Sequence, residues 1–102
     1  MRAVRKRPGE APEICHVENT LEALQAEVGG SIECVRFSTD CAILVNEEGK
    51  LIPLEPNLAF CGDVLFGTVL PVGVKGEEFC SLSQTVAETL CNWMGVRKTW
   101  RS

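Results

Sequence analysis

Residues 19–50 read NTLEALQAEVGGSIECVRFSTDCAILVNEEGK, and this stretch decides the class of fold. Asn19 precedes the first apolar residue and Glu22 follows three positions later, an N-x-x-E form of the capping box that satisfies free N–H groups at a helix start. Leu21, Leu24 and Val28 then fall at i, i+3 and i+7, one apolar stripe, and Gly29-Gly30 supplies the stop. A helix is expected over 20–28. Ile32–Phe37 and Cys41–Val45 read as strands joined around Ser38-Thr39-Asp40. Asn46-Glu47-Glu48-Gly49 reverses the chain again, with Gly49 available for the positive φ that hairpin loops use.

Outward from this segment the pattern continues. Glu13–Val17 reads as a strand, so that strand 13–17, helix 20–28 and strand 31–37 resemble a β-α-β unit, right-handed if the two strands run parallel in one sheet. Arg2–Lys6 is a short strand closed by Pro8-Gly9. Leu51–Leu54 is the return strand of the hairpin, placed near an edge or a bulge by Pro53, and Pro56-Asn57 opens a loop. Val64–Leu70 is a nearly unbroken apolar run, expected of a strand covered on both faces, with Gly67 marking a bulge or a close backbone approach. Phe79-Cys80 adds a short strand. Ser83 caps a last helix in which Val86, Ala87, Leu90, Trp93 and Met94 share one face and which Gly95 ends. The expected fold is α+β, a single small, mostly antiparallel sheet of about five or six strands with two packed helices.

At 102 residues the chain is too short for two cores, so one domain over 1–102 is expected, with basic tails at 1–8 and 96–102. A hydrophobic content of 45% and a mean hydropathy of +0.07 argue for a packed globule over a disordered chain. No apolar run approaches the ~20 residues of a membrane span, and the basic N-terminus lacks the apolar core of a signal peptide. A cytoplasmic location, without membrane association, follows as an expectation. Cysteines at 15, 34, 41, 61, 80 and 91 lie beside apolar residues, which suits reduced, buried thiols better than a disulfide framework. One histidine and no C-x-x-C pair leave no metal set and no cofactor to expect.

The net charge of −4 conceals an uneven layout. Arg2, Arg5, Lys6 and Arg7 lie at one end and Arg97, Lys98 and Arg101 at the other. All 14 carboxylates fall between residues 8 and 96 against only Arg36, Lys50 and Lys75, a balance of −11. Such a body repels nucleic acid. Direct nucleic-acid binding therefore ranks last, because the basic residues form no continuous patch.

Catalytic residues are not apparent. Cys15 and His16 are neighbours on a strand and point to opposite faces, so they form no dyad. Glu47-Glu48 lies on a turn, Asp40 and Asp63 stand beside turn signals, and Gly73-x-x-Gly76 is too sparse for a phosphate loop. No enzyme is expected. If a ligand site exists, it is expected at the 46–50 hairpin and its neighbours: Asn46, Lys50, Asn57 and Phe60, where polar groups and an aromatic ring meet a sheet end.

The run ENTLEALQAEVGGSIE (18–33), the hairpin VNEEGKL (45–51), the P-N-x-A tetrapeptide (56–59) and GDVLFGTVL-x-VG (62–73) together resemble domain-of-unknown-function family 3846. That family comprises small uncharacterised proteins frequent in phages and conjugative elements. Members often carry a basic residue after P-N, where this chain has Leu58. The resemblance implies a phage or mobile-element accessory protein and supplies no activity. Two functions are expected from it and the charge layout. One is a non-enzymatic ligand-binding, anti-defence protein, a sponge for a nucleotide immune signal, whose pocket homo-oligomer formation would help to build. The other is an acidic inhibitor that presents a nucleic-acid mimic to a host defence or restriction enzyme.

Overall fold

The computed structural model describes residues 1–49, 51, 52, 54–60 and 62–96. Eight strands and two helices follow in the order β1 (Arg2–Arg5), β2 (Glu13–His16), α1 (Leu21–Val28), β3 (Ile32–Arg36), β4 (Cys41–Asn46), β5 (Pro56–Phe60), β6 (Asp63–Phe66), β7 (Leu70–Lys75), β8 (Glu78–Cys80) and α2 (Gln84–Val96). The class is α+β with antiparallel pairing, but the expected single sheet is three: β1-β2, β3-β4-β7-β8 and β5-β6. The division has local causes. β1 packs against β7, but among the described residues their backbone pairing is a single bridge just beyond the two strands, in which Lys6 and Val69 exchange both hydrogen bonds at 3.0 Å. The β5-β6 hairpin carries a register shift between Pro56 and Leu58 that turns it out of the main sheet.

The central strand explains the layering. Along β4 every residue is buried, and successive side chains alternate between two cores. Cys41, Ile43 and Val45 join Val4, Leu58 and Met94 on the face covered by β5-β6 and α2. Leu44 joins Leu24, Val28 and Val72 on the face covered by α1. An antiparallel strand covered on both faces needs no polar alternation, and CAILV has none.

Helix α1 is capped one residue later than the capping box suggested. Thr20 is the N-cap, its Oγ1 accepting from Ala23 N at 3.2 Å. Asn19 instead donates Nδ2 to Phe79 O at 2.9 Å, and Gly29 closes the helix in the left-handed region at φ 81°. Ser83 caps α2, accepting from Val86 N at 3.2 Å. Its predicted apolar stripe divides: Ala87 and Met94 are buried, whereas Val86 and Trp93 lie at the rim.

Five local readings are corrected. β2 pairs with β1 and lies outside the sheet of β3, so no parallel β-α-β unit forms. Residues 51 and 52 form a turn in which both N–H groups bond Glu48 O, in place of a return strand over 51–54; Lys50 and Pro53 lie outside the described residues. Gly49 does not take positive φ; what it offers is a missing Cβ, which would sit 3.2 Å from Phe66 O. The run 64–70 is two strands, because Gly67 at φ 77° breaks it and passes within 2.9 Å, by its absent Cβ, of Leu54. Pro56-Asn57 begins β5.

The N-terminal basic segment is strand. Ala3 and Val4 are fully buried. Arg5 makes a bidentate pair with Glu27 (Nη2–Oε1 2.6 Å, Nε–Oε2 2.7 Å) and reaches Glu13 at 2.9 Å. That pairing raises the Arg5 pKa and holds the Glu27 carboxyl below the usual glutamate range against the opposing effect of burial. Residues 97–102 lie outside the described residues.

Candidate functional site

Because β5-β6 stands apart from the main sheet, a cleft of about 600 Å³ opens between it and the edge strand β3 with its neighbour β4. The wall along β3 is made by Glu33, Val35, Arg36 and Phe37, and the opposite wall by Phe60, Asp63, Val64, Leu65 and Phe66. A second, almost wholly apolar pocket of about 240 Å³ lies beside it, under α2, where Leu90, Trp93 and Met94 face Ile43 and Pro71. Phe37 and Phe60 line both.

Three aromatic rings organise this junction. Phe37 and Phe60 meet edge-to-face with centroids 5.9 Å apart and planes at 79°. Phe60 meets Trp93 in the same way at 6.0 Å and 88°. Edge-to-face pairs place the positive ring edge on a negative face and contribute roughly 0.5–1.5 kcal/mol each beyond burial. Phe37 and Trp93 remain more than a third exposed, so this aromatic cluster borders solvent.

The charge of the cleft is acidic. Glu33, Glu47 and Asp63 stand against Arg36, whose Nη2 donates to Thr39 O at 3.2 Å and makes no ion pair among the described residues. Among the described residues that line it, a polyanion would meet three carboxylates for one guanidinium. A planar, weakly charged group would not.

The residues expected to form a ligand site separate. Phe60 is in the cleft, between the two other rings. Asn46 stands at its end, with its side chain turned to structural use: Nδ2 donates to Val28 O at 3.2 Å, and Oδ1 accepts from Glu48 N at 2.8 Å. Lys50 lies outside the described residues. Asn57 is fully buried and belongs to a different cluster. Its Nδ2 donates to Lys6 O and Gly67 O, both at 2.7 Å, and its Oδ1 accepts from Lys6 Nζ at 3.0 Å. Lys6 Nζ also donates to Arg7 O at 3.1 Å, and the side chain is fully buried, so desolvation lowers its pKa. This polar clasp fastens β5 and the Gly67 break to the end of β1, and so holds one wall of the cleft in place.

Phe37 and Trp93 were not legible as site residues. Phe37 reads as the end of a strand and Trp93 as a core anchor, and only the folded chain brings their rings to Phe60. Cys15 is buried beside an exposed His16, on opposite sides of β2, and burial pushes the Cys15 thiol up. The described cysteines, 15, 34, 41, 80 and 91, are free thiols. Among the described residues no group of His, Cys, Asp or Glu is placed to hold a metal ion, and no helix is long and apolar enough to cross a membrane.

The chain belongs to the family described as Domain of unknown function (DUF3846), whose model matches residues 1–94. No curated protein and no solved structure matches it.

Proposed function

We propose that this protein is a non-catalytic binding module whose cleft along β3 takes a small ligand by a planar ring. The observation that carries the reading is the Phe37–Phe60–Trp93 stack at the junction of an open polar cleft and an apolar pocket. A ring entering there finds aromatic partners on one side and the Val35–Leu65 surface on the other. Polar substituents reach Arg36, Glu33 and Asp63. The excess of carboxylates selects a nucleoside or a sparingly charged cyclic nucleotide over a polyphosphate. In a phage or mobile element, such a module would act as a sponge for a nucleotide signal of host immunity. A sponge acts by stoichiometry, so about nanomolar affinity is required, roughly −12 kcal/mol.

Calorimetry against nucleosides, cyclic mononucleotides, cyclic dinucleotides and linear polyphosphates tests this. The expected result is binding of a weakly charged member, weakened at least about tenfold by Phe60→Ala, a loss of roughly 1.4 kcal/mol. Heats from polyphosphates alone, or from none of the panel, would contradict it.

One observation favours a second reading. Arg5 and Arg7 are engaged by Glu10, Glu13 and Glu27, and Lys6 is buried, so the N-terminal cations do not offset the exposed carboxylates elsewhere. The surface then suits an acidic inhibitor of a nucleic-acid-handling host enzyme. Its complex would weaken steeply with salt, because exposed charges are screened over about 8 Å at physiological ionic strength. A complex indifferent to salt would contradict that reading.

A further inference from the structure

The four-stranded sheet ends in two edges, and the chain treats them differently. β8 has three residues, and its Phe79 O is covered by Asn19 Nδ2. The neighbouring Ser81 Oγ accepts from Arg2 N at 2.9 Å, and Leu82 N donates to Arg2 O at 2.9 Å. Short length and side-chain cover are the usual ways of blunting an edge. β3 has five residues, no proline, no glycine, no lysine, and an unbroken register with β4.

The direction of its backbone groups follows from the flanking bonds. Phe37 N donates to Cys41 O, and Ser31 O accepts from Glu47 N, so residues 31 and 37 point toward β4. In an antiparallel ladder this alternates, which places 33 and 35 inward as well and turns the N–H and C=O groups of Ile32, Cys34 and Arg36 to the free edge. None of these groups has a backbone partner among the described residues.

We infer that this edge pairs with the same edge of a second copy, antiparallel and centred on Cys34. The three outward residues are symmetric about that position, so a two-fold axis there sets Cys34 against the partner's Cys34 and Ile32 against the partner's Arg36. About six backbone hydrogen bonds result, the most that any two-fold register of this strand provides. A shift of the axis by one residue either way leaves an outward residue unmatched. β3 carries one carboxylate, Glu33, and one guanidinium, Arg36, so two edges meet without net repulsion although the body is acidic. The self-match favours a second copy over a foreign strand. The pairing also deepens the proposed binding function, on which this consequence rests: Glu33, Val35 and Phe37 line the cleft, and the partner's β3 would flank that wall and bring the two clefts side by side on one continuous sheet.

The geometry supplies its own reporter. Directly opposed residues of a hydrogen-bonded antiparallel pair have Cα atoms about 5.5 Å apart, within the roughly 4.4–6.8 Å that a disulfide spans. Cys34 is exposed. Treatment with an azodicarboxamide should join the two Cys34 sulfurs, each thiol giving up one proton and one electron as the reagent is reduced to the hydrazine. The expected results are a dimer by sedimentation, a Cys34–Cys34 peptide after oxidation, and concentration-dependent exchange protection of the Ile32, Cys34 and Arg36 amides. Cys34→Ser should keep the dimer and lose the cross-link. Cys34→Lys, which opposes two ammonium groups at an exposed position, should give a folded monomer. A chain that sediments as a monomer across the concentration series, with those three amides unprotected, would overturn the inference, as would a dimer that survives Cys34→Lys. Neither result touches ligand binding, which calorimetry reads separately on the same monomer.

Discussion

The two faces of the central sheet are closed by different means, and the difference shows where a binding site can form. On the α1 face, Leu24 and Val28 lie over Leu44 and Val72, and Asn46 bonds the last turn of the helix to β4. Its helical cover is contiguous with the strands it meets, since helix, stop, β3 and β4 lie within residues 20–46, and Ala3, Cys15 and Val17 from the β1-β2 segment and Leu70 and Val72 of β7 complete the packing. On the other face the cover comes from two distant pieces, β5-β6 and α2, which share a core with β4 but leave a cleft between β5-β6 and β3 and an apolar pocket under α2. A sealed face is held by apolar packing. The open face is held at one end by a buried polar clasp and at the other by three rings.

That contrast can be broken from the clasp, where the largest effect is expected. Asn57→Asp puts a carboxylate beside the Lys6 ammonium, which a charge argument would favour. The Asn57 amide, however, donates to two carbonyls, and a carboxylate donates to neither. A loss of about 3 kcal/mol is expected from denaturant unfolding: Gly67 O is left without a donor, at roughly 1–3 kcal/mol, and Lys6 O, which keeps Val69 N, loses its second bond, at about 1 kcal/mol. A stabilised variant would mean that charge, not amide donation, fixes the hairpin. Leu24→Ala is next. It removes a side chain that is 3% exposed in the sealed core, at a cost of about 2–3 kcal/mol. It should leave ligand affinity unchanged, because α1 does not line the cleft.

Smaller effects sharpen the picture. Glu27 has a lowered pKa in the folded chain, mainly through its hydrogen bond from Arg5. The stability this contributes is present above the ordinary glutamate value of 4.5 and is lost as pH falls below it through the lowered folded value. Glu27→Gln should therefore cost about 1–2 kcal/mol at neutral pH and flatten the acid limb of the stability curve. Lys6 has the opposite sense for a cation. Its folded pKa lies below 10.5, so the native state binds fewer protons and stability should rise with pH between the two values. Thr20→Ala, which removes the α1 cap, should cost about 1 kcal/mol and leave the cleft face intact.

The sequence made the sealed face readable and left much of the open one hidden. Helix α1, β3, β4, β8 and α2 follow from periodicity, caps and turn residues, all interactions within a few positions. The pairing of β2 with β1 depends on where β1 lies in space, and no residue of 13–16 signals it. Gly67 was readable as a bulge or a close approach, and the approach is there; that it also ends a strand was not readable, because the neighbour that comes close, Leu54, lies thirteen residues away. Asn57 is the instructive residue. It reads as a loop polar group near a ligand, and its true partner, Lys6, is 51 positions distant. A buried lysine also defeats the rule that places basic residues at the surface. Phe60 was legible as an aromatic near a sheet end; the rings that give it meaning, Phe37 and Trp93, come from a strand terminus and the far helix.

The most direct test is a ligand titration followed by NMR, with the aromatic rings and backbone amides assigned. The account predicts that a nucleoside-class ligand shifts the rings of Phe37 and Phe60 and the amides of Glu33 and Arg36, while Leu24, Val28 and Leu44 on the sealed face stay unmoved. Shifts centred on the α1 face, or confined to the exposed carboxylates with the rings silent, would contradict it.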